Sequence, residues 1–161
     1  VLTCNSVNTY LCSVDNITIG AQNDFELSNE ASFVAWLKRC TSLLQVQIGE
    51  IHISLMSDES LLEINKKHLN HNDYTDVITF DYSSQNTIHC DIAVSTDRVS
   101  ENADNEGVST EKELARVMIH GILHCVGFND KTEDDKRMMR KKENELLKLF
   151  HVEQKSTPSD V

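Results

Sequence analysis

Along the first part of the chain apolar positions mostly alternate with polar ones or run together, and in the last part they recur every three or four residues. Asn16-Ile17-Thr18-Ile19 alternates and predicts a short strand. Phe33, Val34, Trp36, Leu37 and Leu44 fall on one helical stripe, with Ser28 or Asn29 placed to cap it. Ile51, Ile53 and Leu55 alternate with His52, Ser54 and Met56, a second strand, after which Ser57 or Asp58 caps a helix that buries Leu61, Leu62 and Ile64. Residues 77–80 and 88–94 are β-rich runs. From Thr110 the spacing turns helical: Ser109 or Thr110 caps, Glu113 stands at capping-box distance from Thr110, and Leu114, Val117, Met118 and Ile122 follow. A last helix is expected over residues 132–150, with Leu146, Leu147 and Phe150 in the core. Strands early and helices late predict an α+β domain, a small mixed sheet of about four strands covered by helices. Residues 1–13 show no period, and the polar end, with the only proline at Pro158, reads as a frayed tail. One domain is therefore expected over 1–155, followed by a flexible 156–161.

Composition narrows the class. A chain of 161 residues with 39% apolar content can bury a core and is too apolar to be disordered. No apolar run is long enough to span a bilayer and no secretory leader is visible, so no membrane association is expected. The net charge of −11 argues against a non-specific nucleic-acid binder, DNA included, whose footprint is a basic face. The charge is uneven, however: residues 131–148 hold seven basic and five acidic side chains, whereas residues 1–130 hold seven and nineteen. Cys4, Cys12, Cys40, Cys90 and Cys125 are odd in number and form no C-x-x-C pair. That excludes a disulfide framework and a four-cysteine zinc site, and fits reduced thiols in a cytoplasmic protein.

The candidate chemistry lies in His120-Gly121-Ile122-Leu123-His124-Cys125-Val126-Gly127-Phe128-Asn129-Asp130. Two histidines four apart on a helix have Cβ atoms roughly 6 Å apart on one face and can converge on one ion. Gly127 falls where a helix ends with a left-handed residue, so the chain can turn back and bring Asp130 over the histidines. Three protein ligands leave a position open, the mark of a catalytic zinc site. The spacing H-x-x-x-H-x-x-G-x-x-D resembles that of the metzincin proteases, but Gly121 stands where their glutamate base belongs. Peptide hydrolysis by their route is disfavoured, and a base must come from elsewhere; the nearest acids in sequence are Asp130 and Glu113.

The same stretch resembles the signature of the YbeY family, bacterial metal-dependent endoribonucleases implicated in ribosomal RNA maturation. The pattern H-G-x-L-H-x-x-G-[YF]-D-H is matched at His120, Gly121, Leu123, His124, Gly127 and Phe128; Asn129 replaces its aspartate, and Asp130 replaces its third histidine ligand. Upstream, Asn65 and Thr75-Asp76-Val77-Ile78-Thr79-Phe80 resemble the family's N…T-D-V-L-S-F segment, and Cys90-Asp91-Ile92 its G-D-I strand. The resemblance runs over residues 51–147. It implies one zinc held by His120, His124 and Asp130, cleavage of single-stranded RNA, ribosomal RNA and the ribosome as partners, and a role in ribosome quality control. A carboxylate ligand makes the metal a weaker Lewis acid than a third imidazole and admits other divalent ions. Leu69 stands where the family carries an arginine, and leucine cannot hold a phosphate; Arg98 or Lys67 are the available substitutes.

Other residues carry two readings each. Arg98 clamps a phosphate, or pairs with Asp97 or Glu101 on a helix surface. Thr75 and Asp76 position a water, or bond the backbone of a turn. Asp91 orients a ligand histidine, or marks an edge strand. His68, His71 and His89 are surface or strand residues, any of which can displace Asp130 as ligand. Arg137, Arg140, Lys141, Lys142 and Lys148 form a solvated face paired with Glu133 and Glu145, or a docking surface for ribosomal RNA or protein. Trp36 and the other aromatics show no stacking pattern. Beside the nuclease stand two alternatives: a metzincin-like hydrolase of another substrate, and a ribosome assembly factor with a mainly structural zinc.

Overall fold

The computed structural model describes residues 16–155. Its elements follow in the order β1 (Ile17–Ala21), α1 (Glu30–Leu43), β2 (Gln47–Met56), α2 (Asp58–Leu69), β3 (Val77–Asp81), β4 (Thr87–Ser95), α3 (Thr96–Glu106), α4 (Thr110–Val126) and α5 (Glu133–Lys155). The strands form one mixed sheet, ordered β1-β2-β4-β3, in which β1, β2 and β4 are parallel and β3 is antiparallel to β4. This is the α+β architecture that the apolar pattern predicts. Residues 1–13 and the tail expected over 156–161 lie outside the described residues.

Period-two patterning decides which face of the sheet is buried. Ile51, Ile53 and Leu55 of β2 stand beside Cys90, Ile92 and Val94 of β4, all buried. They pack against Phe33, Trp36 and Leu37 of α1, the apolar stripe of α4, and Leu146, Leu147 and Phe150 of α5. Trp36 fixes α1 to α5: its indole N–H donates to the Leu146 carbonyl at 3.0 Å and its ring meets Phe150 at 5.1 Å. The opposite face is divided. Leu61 and Ile64 of α2 cover Met56, Ile78 and Ala93, while His52 and Asp91 stay exposed. β4 is an interior strand, so Asp91 does not mark an edge; it stands on the open face. His89 lies over Gly49, where any Cβ would collide with its ring. No helix among the described residues is long and apolar enough to cross a membrane.

The helix starts correct one expectation. Ser57 and Ser109 are the caps of α2 and α4, their hydroxyls accepting from the Ser60 and Lys112 N–H groups. Thr110 is already helical, so no capping box joins it to Glu113, which turns inward and is buried. At α5 the reciprocal pair is Thr132 and Asp135, each side chain accepting from the other's N–H. In the sequence reading α3 enters only as the helix surface on which Arg98 pairs with Asp97 or Glu101, and the Glu101 pair is present. The helix buries only Thr96, Val99 and Ala103, too thin a stripe to show a helical period in a polar segment. Its boundaries are still chemical: Ser95 caps the start and Gly107, at φ 65°, ends it.

Candidate metal centre

Helix α4 carries the two histidines because its apolar stripe lies on the sheet and leaves the next face toward solvent. Gly121 is the closest point of approach. A Cβ there would stand 2.9 Å from Thr79 Oγ1 and 3.0 Å from Ile92 Cδ1. The position next to the first histidine thus faces the sheet, and no carboxylate base can occupy it.

Gly127, at φ 108°, ends α4, with its N–H donating to His124 and the Phe128 N–H to Leu123. The chain turns back, and two consequences follow. The Phe128 carbonyl reaches His124 Nδ1 at 3.0 Å. Because a carbonyl only accepts, that nitrogen carries the proton and Nε2 presents a lone pair. Asp130 also swings over the pair, its Oδ2 at 3.5 Å from Nε2 of both His120 and His124, whose Nε2 atoms are 3.0 Å apart. Two lone pairs and a carboxylate oxygen this close repel one another unless a cation or proton lies among them. Among the described residues, His120, His124 and Asp130 form the one group whose donor atoms converge so that they can hold a metal ion. The mix of two nitrogens and one oxygen suits a divalent ion.

His120 is oriented by a residue the sequence reading left among solvated charges. Glu143 of α5 is buried, and its Oε1 lies 2.7 Å from His120 Nδ1. Its Oε2 accepts from Arg116 Nη1 at 3.0 Å, and Arg116 Nε lies 3.7 Å from Glu113. The sequence does hold a signal for it. Glu143 is four residues after Met139 and three before Leu146, both buried, so it falls on the apolar stripe of α5. Burial opposes both charges of the pair. Contact with Glu143, helped by Asp130 and Asp76, nonetheless holds the His120 pKa above its ordinary 6.5. The His120 and Arg116 bonds hold the Glu143 carboxyl below its usual range. Burial pushes Glu113 the other way, upward, despite Arg116.

The signs give a prediction. A raised His120 pKa means that the imidazolium stabilises the metal-free fold at low pH, and that this stabilisation is lost as pH rises through the raised value. A metal must displace that proton. Affinity for a divalent ion therefore falls about tenfold per pH unit as the pH is lowered, and the decline sets in while the pH is still above the ordinary 6.5. Competition titrations with a chromophoric chelator across neutral pH measure it; a decline that begins only below that value contradicts the pairing with Glu143.

The trio stands between two clefts. One, of about 540 Å³, is bordered by Asp76, Glu113, Arg116, Lys136, Arg140 and Glu143 together with His120 and Asp130. The other, of about 650 Å³, is bordered by Leu69, His71, Asp73, Tyr74, Thr75 and Asp76 together with all three of the trio. Asp76 borders both. It is held there by a fastened turn: buried Asn65 donates to the Asp73 carbonyl at 2.7 Å, Thr75 Oγ1 donates to the Val77 carbonyl, and the Ser95 N–H donates to the Asp76 carbonyl. Arg98 borders neither cleft. Its Nε lies 3.2 Å from both Asp58 oxygens, its Nη1 3.4 Å from Glu101, and its guanidinium 5.0 Å from the Tyr74 ring centroid. Lys67 is exposed on α2 and borders neither, and His68 packs edge-on against Phe80. His71 reaches a cleft wall without joining the trio. On α5, Lys136, Arg137 and Lys142 pair with Glu133, Asp134 and Glu145, so the run is in part the paired, solvated face expected.

A family model described as Endoribonuclease YbeY matches residues 17–151. Endoribonuclease YbeY of Flavobacterium psychrophilum is 48% identical over 138 residues, covering 86% of this chain and 99% of that one. That of Christiangramia forsetii is 44% identical over 138 residues, covering 86% and 96%. The solution structure of TM1509 from Thermotoga maritima superposes with a TM-score of 0.60 at 26% identity, covering 90% of this chain and 96% of that one. With a match across its whole sheet and all five helices and this level of identity to curated members, the chain belongs to the YbeY family.

Proposed function

We propose that this protein is a zinc-dependent endoribonuclease that cuts single-stranded RNA, with ribosomal RNA and the ribosome as its setting in maturation and quality control. The observation that carries the reading is the convergence of His120, His124 and Asp130 with both imidazoles pre-oriented from behind, in a chain of this family. Those three residues would hold the ion. What zinc supplies there is Lewis acidity toward a phosphodiester oxygen or toward water.

The chain's own residues do the rest. Glu143 and the Phe128 carbonyl keep both Nε2 lone pairs aimed at one point. Asp76 stands where a water entering from either cleft meets a carboxylate, and we assign it the role of positioning that water and taking its proton. Thr75 holds the turn that presents Asp76. Arg98, committed to Asp58, Glu101 and Tyr74, has no free path to a phosphate at the trio. Lys136 and Arg140 line the 540 Å³ cleft and stand with Arg137, Lys141 and Lys148 on the surface of α5, which gives an acidic protein one basic margin for an RNA backbone. Residues 1–155 would form this one domain. The unpaired thiols of Cys40, Cys90 and Cys125 fit the reducing cytoplasm.

Gly121, pressed on the sheet, argues against a peptidase, and the test separates the two. Zinc-loaded protein is offered unstructured RNA, duplex RNA and casein, with and without chelator. Internal cuts in unstructured RNA that the chelator abolishes and added zinc restores are expected, with casein and duplex intact. Casein cleavage without RNA cleavage overturns the reading.

A further inference from the structure

The cleft on the α2 side has a wall that the metal trio does not use. Tyr74 and Leu69 border it, 47% and 45% exposed. Exposed apolar side chains are ordinary on a surface, but Tyr74 is also held still. Its hydroxyl donates to Glu59 Oε1 at 2.8 Å, and the Arg98 guanidinium lies 5.0 Å from its ring centroid. Arg98 is itself fixed by Asp58 and Glu101. Glu59 and Arg98 thus hold an aromatic ring that leaves nearly half its surface in water, an arrangement that burial does not explain. A ring restrained in this way binds a flat partner at little further loss of freedom.

The charges of the two clefts say what that partner is. The α2-side cleft is bordered by Asp73, Asp76 and Asp81 and by no lysine or arginine. Away from the trio, a phosphate meets only carboxylates on that wall. The other cleft also has carboxylates, Asp76, Glu106, Glu113, Asp130 and Glu143, but of the two it alone has cations, Arg116 and the exposed Lys136 and Arg140 of α5. An RNA strand lying across the trio is therefore divided, backbone toward α5 and base toward α2. We propose that Tyr74, backed by Arg98 and flanked by Leu69, is a subsite for one unpaired nucleobase next to the scissile phosphate. The inference rests on the endoribonuclease reading and deepens it, because a base held in a duplex cannot reach the ring. It also gives Leu69 a use, as apolar rim to a base.

The test is kinetic and uses zinc-loaded full-length protein with a short single-stranded RNA. Tyr74→Ala raises KM roughly ten- to hundredfold, the range expected for one lost stack, and leaves kcat within about threefold, while Tyr74→Phe, which keeps the ring and its Arg98 contact but loses the Glu59 bond, raises KM far less. An abasic nucleotide scanned along the RNA reproduces that KM rise at one position with the wild type and adds nothing there with Tyr74→Ala. A merely structural tyrosine would show equal abasic penalties in both proteins, and that result, or an unchanged KM, overturns the subsite. If the wild type cuts no RNA, the proposed function falls. Fluorescence of 2-aminopurine RNA then decides the subsite alone: quenching that Tyr74→Ala removes supports it, and no quenching refutes it.

Discussion

Under the proposed function, replacing His120 and His124 together by alanine is expected to leave a folded protein that neither holds zinc nor cuts RNA. Both side chains are partly exposed, at 23% and 30%, and the buried face of α4 (Leu114, Met118, Ile122 and their neighbours) does not include them. The core therefore survives. The loss falls on the ion, because one remaining carboxylate on a turn cannot compete with water for it. Metal catalysis of this kind contributes several kcal/mol to the transition state, so turnover should drop by about a thousandfold or more. Elemental analysis of the variant should find zinc far below one per chain, and far-ultraviolet circular dichroism should match the wild type. Near-stoichiometric zinc in the double variant would show that the ion sits elsewhere. Wholesale unfolding would instead support the assembly-factor alternative, in which the metal is structural.

Glu143→Ala should cost more in stability than any ligand substitution. The carboxylate is buried and holds both His120 and Arg116, and Arg140 Nη1 is 3.6 Å away. Its removal leaves Arg116 with the 3.7 Å Glu113 contact as its ion-pair partner. Breaking a buried pair from one side typically costs about 3–5 kcal/mol, chiefly because the other charge stays buried. The same substitution frees His120 to rotate and change tautomer, and loss of such an outer partner typically weakens metal binding about 10- to 100-fold. Glu143→Gln separates the effects. Its amide oxygen can still accept from His120, so the fold should lose less while metal affinity still falls. Because the folded Glu143 carboxyl titrates low, its stabilisation is present above the ordinary carboxylate range and is lost as pH falls through its lowered value. Urea melts at neutral and acid pH should therefore converge for wild type and Glu143→Gln. Equal stability of all three proteins at neutral pH would remove Glu143 from any supporting role.

These two experiments fall on opposite sides of what the sequence makes legible. His120 and His124 can be read directly, because helix geometry alone places residues four apart on one face. Asp130 is legible as well, through the glycine that ends α4, since capping is a local rule. The same holds for the strands, whose alternation survives in β1, β2 and β4, and for the caps at Ser57 and Ser109.

Where contacts are long-range, the pattern is silent or misleads. Glu143 lies in a run of charges and looks solvated until α5 is packed against α4, 23 residues separating it from His120. Arg98 looks available for a phosphate until α2 brings Asp58 to it from 40 residues away. Helix α3 has almost no apolar stripe, because it is covered at few points. Tyr74 is one aromatic in a polar loop until the same packing puts Arg98 against its ring.

Sequence by itself determined the mixed sheet, the helices with strong apolar stripes, and the three side chains able to meet at an ion. Each follows from periodicity or from chemistry within one or two turns of chain. Tertiary structure alone decided which charges are buried, which arginine is occupied, and which side chains border each of the two clefts. Those outcomes depend on the packing of α2, α4 and α5 on the sheet, and the free energy of burying or pairing a charge is set by neighbours that no local pattern names.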